Sequence, residues 1–313
     1  MEVNKQKILI TGGMGNLGSW LTDFFCEKGC DVTVLTKRIR TLTFDQKFKI
    51  INCDISDIED CKNKLNTPFD IIIHTASMND NFVENYAHDA LIVNALGTRN
   101  ILEAIKNHPP KHFIYFSTFH VYGKYSGELT EKSDLNPIND YGTTHLFAEY
   151  YVKQFNATHQ IPFSIIRLSN SYGCPKDYDS SKWYLILNDL SRMAFENQKI
   201  ILKSNGLASR DFIWMGDVCQ IVYKLASLNA PNEAFNLSSG TTYSLLDIAK
   251  AVQQAYQETF GKTISIQTNK EDTSQPQPPV SINSNKLKQL IAFDTTTNFI
   301  EEAKHIFTFL EQK

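Results

Sequence analysis

Six short runs of almost uninterrupted apolar residues set the strongest limit on what this 313-residue chain can fold into. They are KILIT (7–11), DVTVLT (31–36), KIINCD (49–54), DIIIHTA (70–76), HFIYFST (112–118) and FSIIRLS (163–169). A strand with one face in water alternates apolar and polar residues, whereas a strand covered on both faces reads as a continuous Ile/Val/Leu/Phe run. Helical patterns separate several of these runs, at 15–28, 85–107 and 141–158. Repeated strand–helix–strand units require crossovers, which lay the strands parallel and place helices on both faces. The expected class is α/β, with a doubly wound parallel sheet.

The first crossover carries a ligand signal. TGGMGNLG (Thr11 to Gly18) follows the first strand directly and opens the first helix, with glycines at 12, 15 and 18. A strand must turn sharply into a helix there, and the backbone must approach a ligand closely. The helix N-terminus then offers free N–H groups and a partial positive charge to an anion such as a pyrophosphate. A glycine triplet between strand and helix at the start of a β-α-β series points to dinucleotide binding and a Rossmann sheet.

After about residue 174 the rhythm changes. A helical segment covers 182–197, and KIILKSNGLASRDFIWMGDV (199–218) reads as strand, loop and strand. NEAFNLSSG (232–240) reads as a further strand, and SLLDIAKAVQQAYQETFG (244–261) as an amphipathic helix with a serine start and a glycine stop. SQPQPPV (274–280) reads as an extended loop, since proline and its predecessor resist helix. The expected division is a dinucleotide-binding domain over 1–173, to which 207–240 returns, and a smaller C-terminal substrate lobe from 174–206 and 241–313.

Composition excludes other classes. The formal net charge is −3, without the basic excess that neutralises phosphate backbones, so no nucleic-acid partner is expected. The six cysteines form no Cys-x-x-Cys pair and no zinc pattern, so no metal site is expected and all six are read as reduced and structural. No stretch reaches the ~20 apolar residues that cross a bilayer. The polar N-terminus does not read as a signal peptide. These features together lead us to expect no membrane partner and a cytoplasmic protein.

The G-x-x-G-x-x-G form resembles the extended short-chain dehydrogenases/reductases that act on nucleotide sugars. Further motifs match in order: CDISD (53–57), HTAS (74–77), NALGTRNILEA (94–104), FSTFHVYG (116–123), YGTTH (141–145), RLSNSYG (167–173) and RDFIWMGDV (210–218). The resemblance runs from residue 7 to about 260 and implies cofactor contacts at Gly12, Gly15, Asn16, Leu17 and Gly18. It implies others at Asp54 and Ile55 beside the adenine, at Thr75, Ala76 and Ser77 along the cofactor, and at Asn94. Tyr141 stands where the family exchanges a proton with the substrate oxygen, and Thr118 where a hydroxyl binds that same oxygen. His145 occupies the position of the lysine that holds the nicotinamide ribose and lowers the tyrosine pKa. His120, two residues after Thr118, falls where some relatives carry an acid/base. Asn170 and Arg210 match positions that contact the substrate's diphosphate. Phe119 and His120 replace the Asp-Glu pair of the 4,6-dehydratases, which argues against that reaction.

NAD-binding members usually end the second strand with an acidic residue that accepts from the ribose hydroxyls. Here the strand ends in Thr36, followed by Lys37 and Arg38. A small polar residue leaves room for a 2′-phosphate and the cations suit it, so NADP is the expected cofactor and NAD the alternative. The expected activity is an NADP(H)-dependent reduction of a nucleotide-linked 4-keto sugar. An NAD-dependent nucleotide-sugar 4-epimerase and a catalytically silent dinucleotide-binding protein stay open. An unperturbed imidazole titrates near ~6.5, so reductase turnover is expected to fall as pH rises through the His145 pKa. The resemblance also implies a homodimer through the helices at 85–107 and 141–158, where Tyr150 and Tyr151 could pack.

Overall fold

The computed structural model describes residues 6–79, 84–124, 126–275 and 278–312. Its main sheet contains β1 (Lys7–Thr11), β2 (Asp31–Thr36), β3 (Lys49–Asn52), β4 (Ile71–His74), β5 (His112–Thr118) and the strands Phe163–Leu168 and Glu233–Leu237. Their order is Glu233–Leu237, Phe163–Leu168, β5, β4, β1, β2, β3, and every pairing is parallel. The doubly wound sheet expected from the sequence is therefore present. The chain leaves β1 toward one sheet edge, then returns to β4 on the other side of β1. That reversal opens a crevice at the carboxyl ends of β1 and β4, the usual ligand position in open α/β sheets.

Alternate residues of each strand feed opposite faces. Ile8 and Ile10 pack with Leu21 and Phe25 of the helix Asn16–Glu27 and with Val218 and Val222 of the helix Met215–Ala226. Leu9 faces the other side, in a cluster with Ile101 and Ile105 of the helix Gly97–Ile105 and with Val152 and Phe155 of the helix Asp140–His159. All residues of β4 and β5 are buried, which is why their sequences show no alternation. At about 25 cal/mol per Å² of apolar surface, these two layers supply the bulk of the driving force.

A third cluster lies in the later part of the chain. Leu187 and Leu190 of the helix Ile186–Asn197 meet Ile248 and Val252 of the helix Leu245–Phe260 and Phe307 of the helix Phe299–Glu311. The expected serine start is a reciprocal cap between Ser244 and Asp247, and Gly261 ends that helix with φ +68°. The stretch 199–218 differs in part from its sequence reading. Lys199–Ile201 and Ser209–Trp214 are strands, but Met215 already begins a helix. The pattern of the pattern-breaking segment explains this: Val218, Cys219, Ile221 and Val222 recur at helical spacing and face the sheet. Val280 closes the proline stretch as the start of a short strand, Val280–Ile282, paired with Gly127–Leu129. Leu287, Ile291 and Phe293 pack against the main sheet. No helix among the described residues is long and apolar enough to cross a membrane.

Candidate active site

The carboxyl ends of the central strands open into one cavity of about 780 Å³, within the range of pre-formed ligand sites. All the candidate site residues named from the sequence line it, except Asn94.

The glycine turn forms one wall. Gly12 has φ +68°, and a Cβ there would lie 2.7 Å from Cα of Ala76, so only glycine fits. Gly18 presses against the Gly12 carbonyl in the same way. The helix Asn16–Glu27 begins with no side-chain cap and no acid in its first turn. Its leading N–H groups are thus left for an anion. The Asn16 Oδ1 is buried and has no hydrogen-bond partner.

At the end of β2, Thr36 donates its hydroxyl to the Arg38 carbonyl at 2.9 Å. Lys37 pairs with Asp54, and Arg40 with Asp177. Asp54 also accepts from the Ser56 amide at 3.0 Å and the Ser56 hydroxyl at 2.6 Å. Burial pushes the Asp54 carboxyl up, but the bonds from Lys37 and Ser56 outweigh it and hold its pKa below the usual range. Of the basic run 37, 38 and 40, only Arg38 has no carboxylate partner among the described residues.

Asn94 lies behind the wall. It accepts from the Met78 amide at 2.7 Å and donates to the Met78 carbonyl at 3.1 Å and to Thr144 Oγ1 at 3.0 Å. It braces the loop after Ser77 against the helix Asp140–His159 and offers no free group to a cofactor. A π-helical stretch, Leu91–Leu96, carries it; such bulges re-aim side chains at functional sites.

Thr118 ends β5, and Tyr141 stands one residue into the helix Asp140–His159, which Asn139 caps by accepting from Gly142 at 2.8 Å. Thr118 and Tyr141 line the same cavity, close enough for the threonine hydroxyl to act on the phenol. Burial pushes the Tyr141 hydroxyl up to about 12, with Tyr86 adding to the rise and Thr118 partly offsetting it. His145 lies one turn on, its ring edge-to-face with Tyr141 at 4.5 Å. His145 is buried, and its Nδ1 is 2.7 Å from the Tyr115 hydroxyl, whereas its Nε2 has no partner. Burial, with His74 and His120 adding to it, pulls the His145 pKa down to about 3. This corrects the expectation of a histidine titrating near neutrality: the imidazole is neutral throughout the physiological range, and the proposed fall in turnover through its pKa loses its basis.

His120 leans on Phe119 and points an edge contact at Tyr141, with centroids 4.3 and 5.7 Å away. Its pKa falls to about 4, first through burial and then through the Arg210 cation. Arg210 is exposed on the cavity rim. It pairs with neither Asp211, which accepts from Ser169, Ser239 and Gly240, nor Asp217, which accepts from Thr296. Asn170 donates to the Asp211 carbonyl at 2.9 Å.

Sequence reasoning missed the layer below. Ser117 donates to Glu149 at 2.7 Å, Arg167 clamps both Glu149 oxygens at 2.9 and 2.7 Å, and Arg167 reaches Tyr122 at 2.9 Å. These groups are buried and hold the end of β5 rigid beneath Thr118. The signal was available: Arg167 is a lone cation inside an apolar strand, and Glu149 is four residues past His145 on the same helix face.

The sequence model of the NAD dependent epimerase/dehydratase family matches residues 8–238. The chain belongs to that family. A Methanocaldococcus jannaschii protein provisionally named UDP-glucose 4-epimerase is 32% identical over 78% of this chain and 81% of its own length. A dTDP-L-rhamnose 4-epimerase of Burkholderia thailandensis is 26% identical over 81% of this chain and 82% of its own. The fold matches that of UDP-glucuronic acid 4-epimerase from Bacillus cereus in complex with NAD, with a TM-score of 0.80 at 21% identity over 98% of this chain and 99% of that one. The family relationship makes the chain a nucleotide-sugar oxidoreductase-type enzyme with a Rossmann sheet.

Proposed function

We propose that this family member is a nucleotide-sugar 4-epimerase that works with NAD(H). The observation that carries the reading is that Thr118 and Tyr141 share one cavity with an uncapped glycine turn. The epimerase names of its relatives support it. The residues present fit a dinucleotide: unfilled N–H groups at the first helix suit a pyrophosphate, and the orphaned His145 Nε2 suits a ribose oxygen. A bound dinucleotide would supply the hydride acceptor and donor. Tyr141, in its ionised tyrosinate form, takes the proton of the sugar C4 hydroxyl and, now as the phenol, returns it after the ketone has turned its other face. Thr118 hydrogen-bonds the same oxygen and aligns it. Arg210 and Asn170 hold the substrate's diphosphate, arginine through its planar fork.

A second reading has specific support. A reductase of a 4-keto sugar needs Tyr141 only as an acid, and a hydroxyl held near 12 is an acid at neutral pH. Thr36 and Arg38 also leave room and charge for a 2′-phosphate, so NADP(H) goes with this reading. Phe119 and His120 weigh against 4,6-dehydration, although 4,6-dehydratases are among the relatives.

The purified protein should carry NAD and convert UDP-glucose into its C4 epimer without added cofactor. Protein free of NAD that oxidises NADPH against a nucleotide-linked 4-keto sugar would move the assignment to the reductase. Dinucleotide binding with no turnover of either kind would leave a binding protein. We also infer a homodimer through the helices on which Leu91, Leu96, Phe147 and Tyr150 are exposed. Tyr151 turns toward the core instead.

A further inference from the structure

We propose that Tyr115 is a positioning residue for this site: its hydroxyl donates to Nδ1 of His145, fixes the imidazole as the Nε2–H tautomer, and so presents a neutral hydrogen-bond donor to the ligand where the family resemblance implies a lysine. The inference deepens the dinucleotide reading of the cavity and rests on it.

The argument is one of proton accounting. Tyr115 Oη and His145 Nδ1 are 2.7 Å apart, and both side chains are buried. A neutral imidazole has one donor and one acceptor nitrogen, and which is which follows from its partners. Suppose Nδ1 carried the proton and donated to Tyr115. The tyrosyl proton would then be buried with no acceptor, because Tyr115 Oη makes no other hydrogen bond among the described residues. Nε2 would be a second buried group left unsatisfied. With Tyr115 as donor, the tyrosyl proton is placed and only Nε2–H is left over. Unsatisfied buried groups are costly, so the arrangement with fewer of them prevails. His145 remains neutral, its pKa held at about 3 by burial and by His74 and His120, so a tautomer and not a charge is what Tyr115 selects. The remaining donor belongs to a residue that lines the cavity beside Tyr141 and Thr118. An oxygen acceptor there, such as a ribose hydroxyl, completes it.

This arrangement separates two duties that one lysine combines. The pair can anchor a ligand hydroxyl, but it adds no positive charge near Tyr141. The tyrosine therefore keeps its high pKa while the ligand is still held in register.

The test uses the ligand-free and NAD-bound protein. Nitrogen-15 spectra of labelled histidine, with the His145 resonances assigned by their loss in His145→Gln, should show a protonated Nε2 and an unprotonated Nδ1. Tyr115→Phe should remove that preference while the variant still unfolds in a single cooperative thermal transition. It should also weaken NAD binding in calorimetry by roughly three- to tenfold, the size of one neutral hydrogen bond. His145→Ala should weaken it by a similar factor, and the double variant no further, since the two act as one unit. A protonated Nδ1 in the unmodified protein overturns the proposal, as do additive effects of the two substitutions on binding. If the unmodified protein binds no dinucleotide, the functional reading falls and the ligand half of this inference falls with it. If NAD binds normally and Tyr115→Phe changes nothing, only the inference falls.

Discussion

Replacing His145 with lysine should lower the Tyr141 pKa by a calculable amount. The two rings are 4.5 Å apart, edge to face. An ammonium on the longer lysine chain would stand about 5–6 Å from the phenolic oxygen, and at an effective dielectric of ~20 the attraction is about 3 kcal/mol. At ~1.4 kcal/mol per pH unit this is roughly 2 units, taking Tyr141 from about 12 toward ~10. A tyrosine is a base only above its pKa, and below it the ionised fraction falls tenfold per pH unit. Near neutral pH the His145→Lys change should therefore raise the tyrosinate population by up to about a hundredfold. The assay is twofold. Tyrosinate absorbance is titrated as the difference between His145→Lys and His145→Lys/Tyr141→Phe. Sugar oxidation and ketone reduction are then timed separately under single-turnover conditions. Oxidation should accelerate in the variant, and reduction, which needs the protonated tyrosine, should change little. In the unmodified protein the oxidation rate should climb across the neutral range with no inflection near ~6.5, because His145 is neutral there. An inflection near that value that disappears in His145→Lys would refute the reasoning, since it would mean that His145 carries a titrating charge after all.

Other outcomes test other parts of the structure. Arg38→Ala should weaken NADPH binding by about 1.5–3 kcal/mol and leave NADH binding unchanged; equal losses for both would remove Arg38 from the 2′ position. Glu149→Gln should lower stability by about 3–5 kcal/mol in chemical denaturation, because Arg167 would be left as a buried charge without its partner. A loss below about 1 kcal/mol would show that Tyr122 and the remaining amide oxygen at position 149 satisfy Arg167 without a carboxylate. His74, His112, His120 and His145 have pKa values of about 3, 4, 4 and 3, below the unfolded value near 6.5. The unfolded chain then binds more protons than the folded one between these limits, so stability is complete above about pH 6.5 and lost as pH falls toward 4; a thermal midpoint flat over that range would contradict their burial as neutral rings. Leu91→Lys combined with Phe147→Lys should produce a monomer by sedimentation, and an unchanged dimer would place the interface elsewhere.

The central sheet was legible because burial on both faces leaves a direct trace in the sequence. Ile71, Ile72 and Ile73 form a continuous apolar run since each contacts one of two cores, and no polar residue could be spared at those positions. The same logic misled at Met215, where the apolar run FIWM (212–215) reads as strand to its end but Met215 already winds into helix. Periodicity over so few residues does not separate a buried strand from the first turn of a buried helix. The strands Gly127–Leu129 and Val280–Ile282 left no trace because each has three residues and takes its stability from a partner far away in sequence.

The site divides along a similar line. Backbone demands are written locally: Gly12 and Gly18 had to be glycine for reasons of close approach, and the motif revealed them. Electrostatic states are not local. From its sequence neighbours alone His145 looks like an ordinary histidine beside a tyrosine, and only burial against Tyr115, His74 and His120 makes it neutral. Lys37 and Arg40 look like a phosphate-binding run, yet Asp54 and Asp177 claim them across 17 and 137 residues of chain respectively. That leaves Arg38 as the cation of the run open to a 2′-phosphate, and it makes cofactor choice depend on one residue rather than three. If NADP(H) is preferred, the preference should be modest and should vanish with a single substitution; if NAD(H) is preferred, the paired lysine and arginine explain why a basic run at the end of β2 did not reverse it.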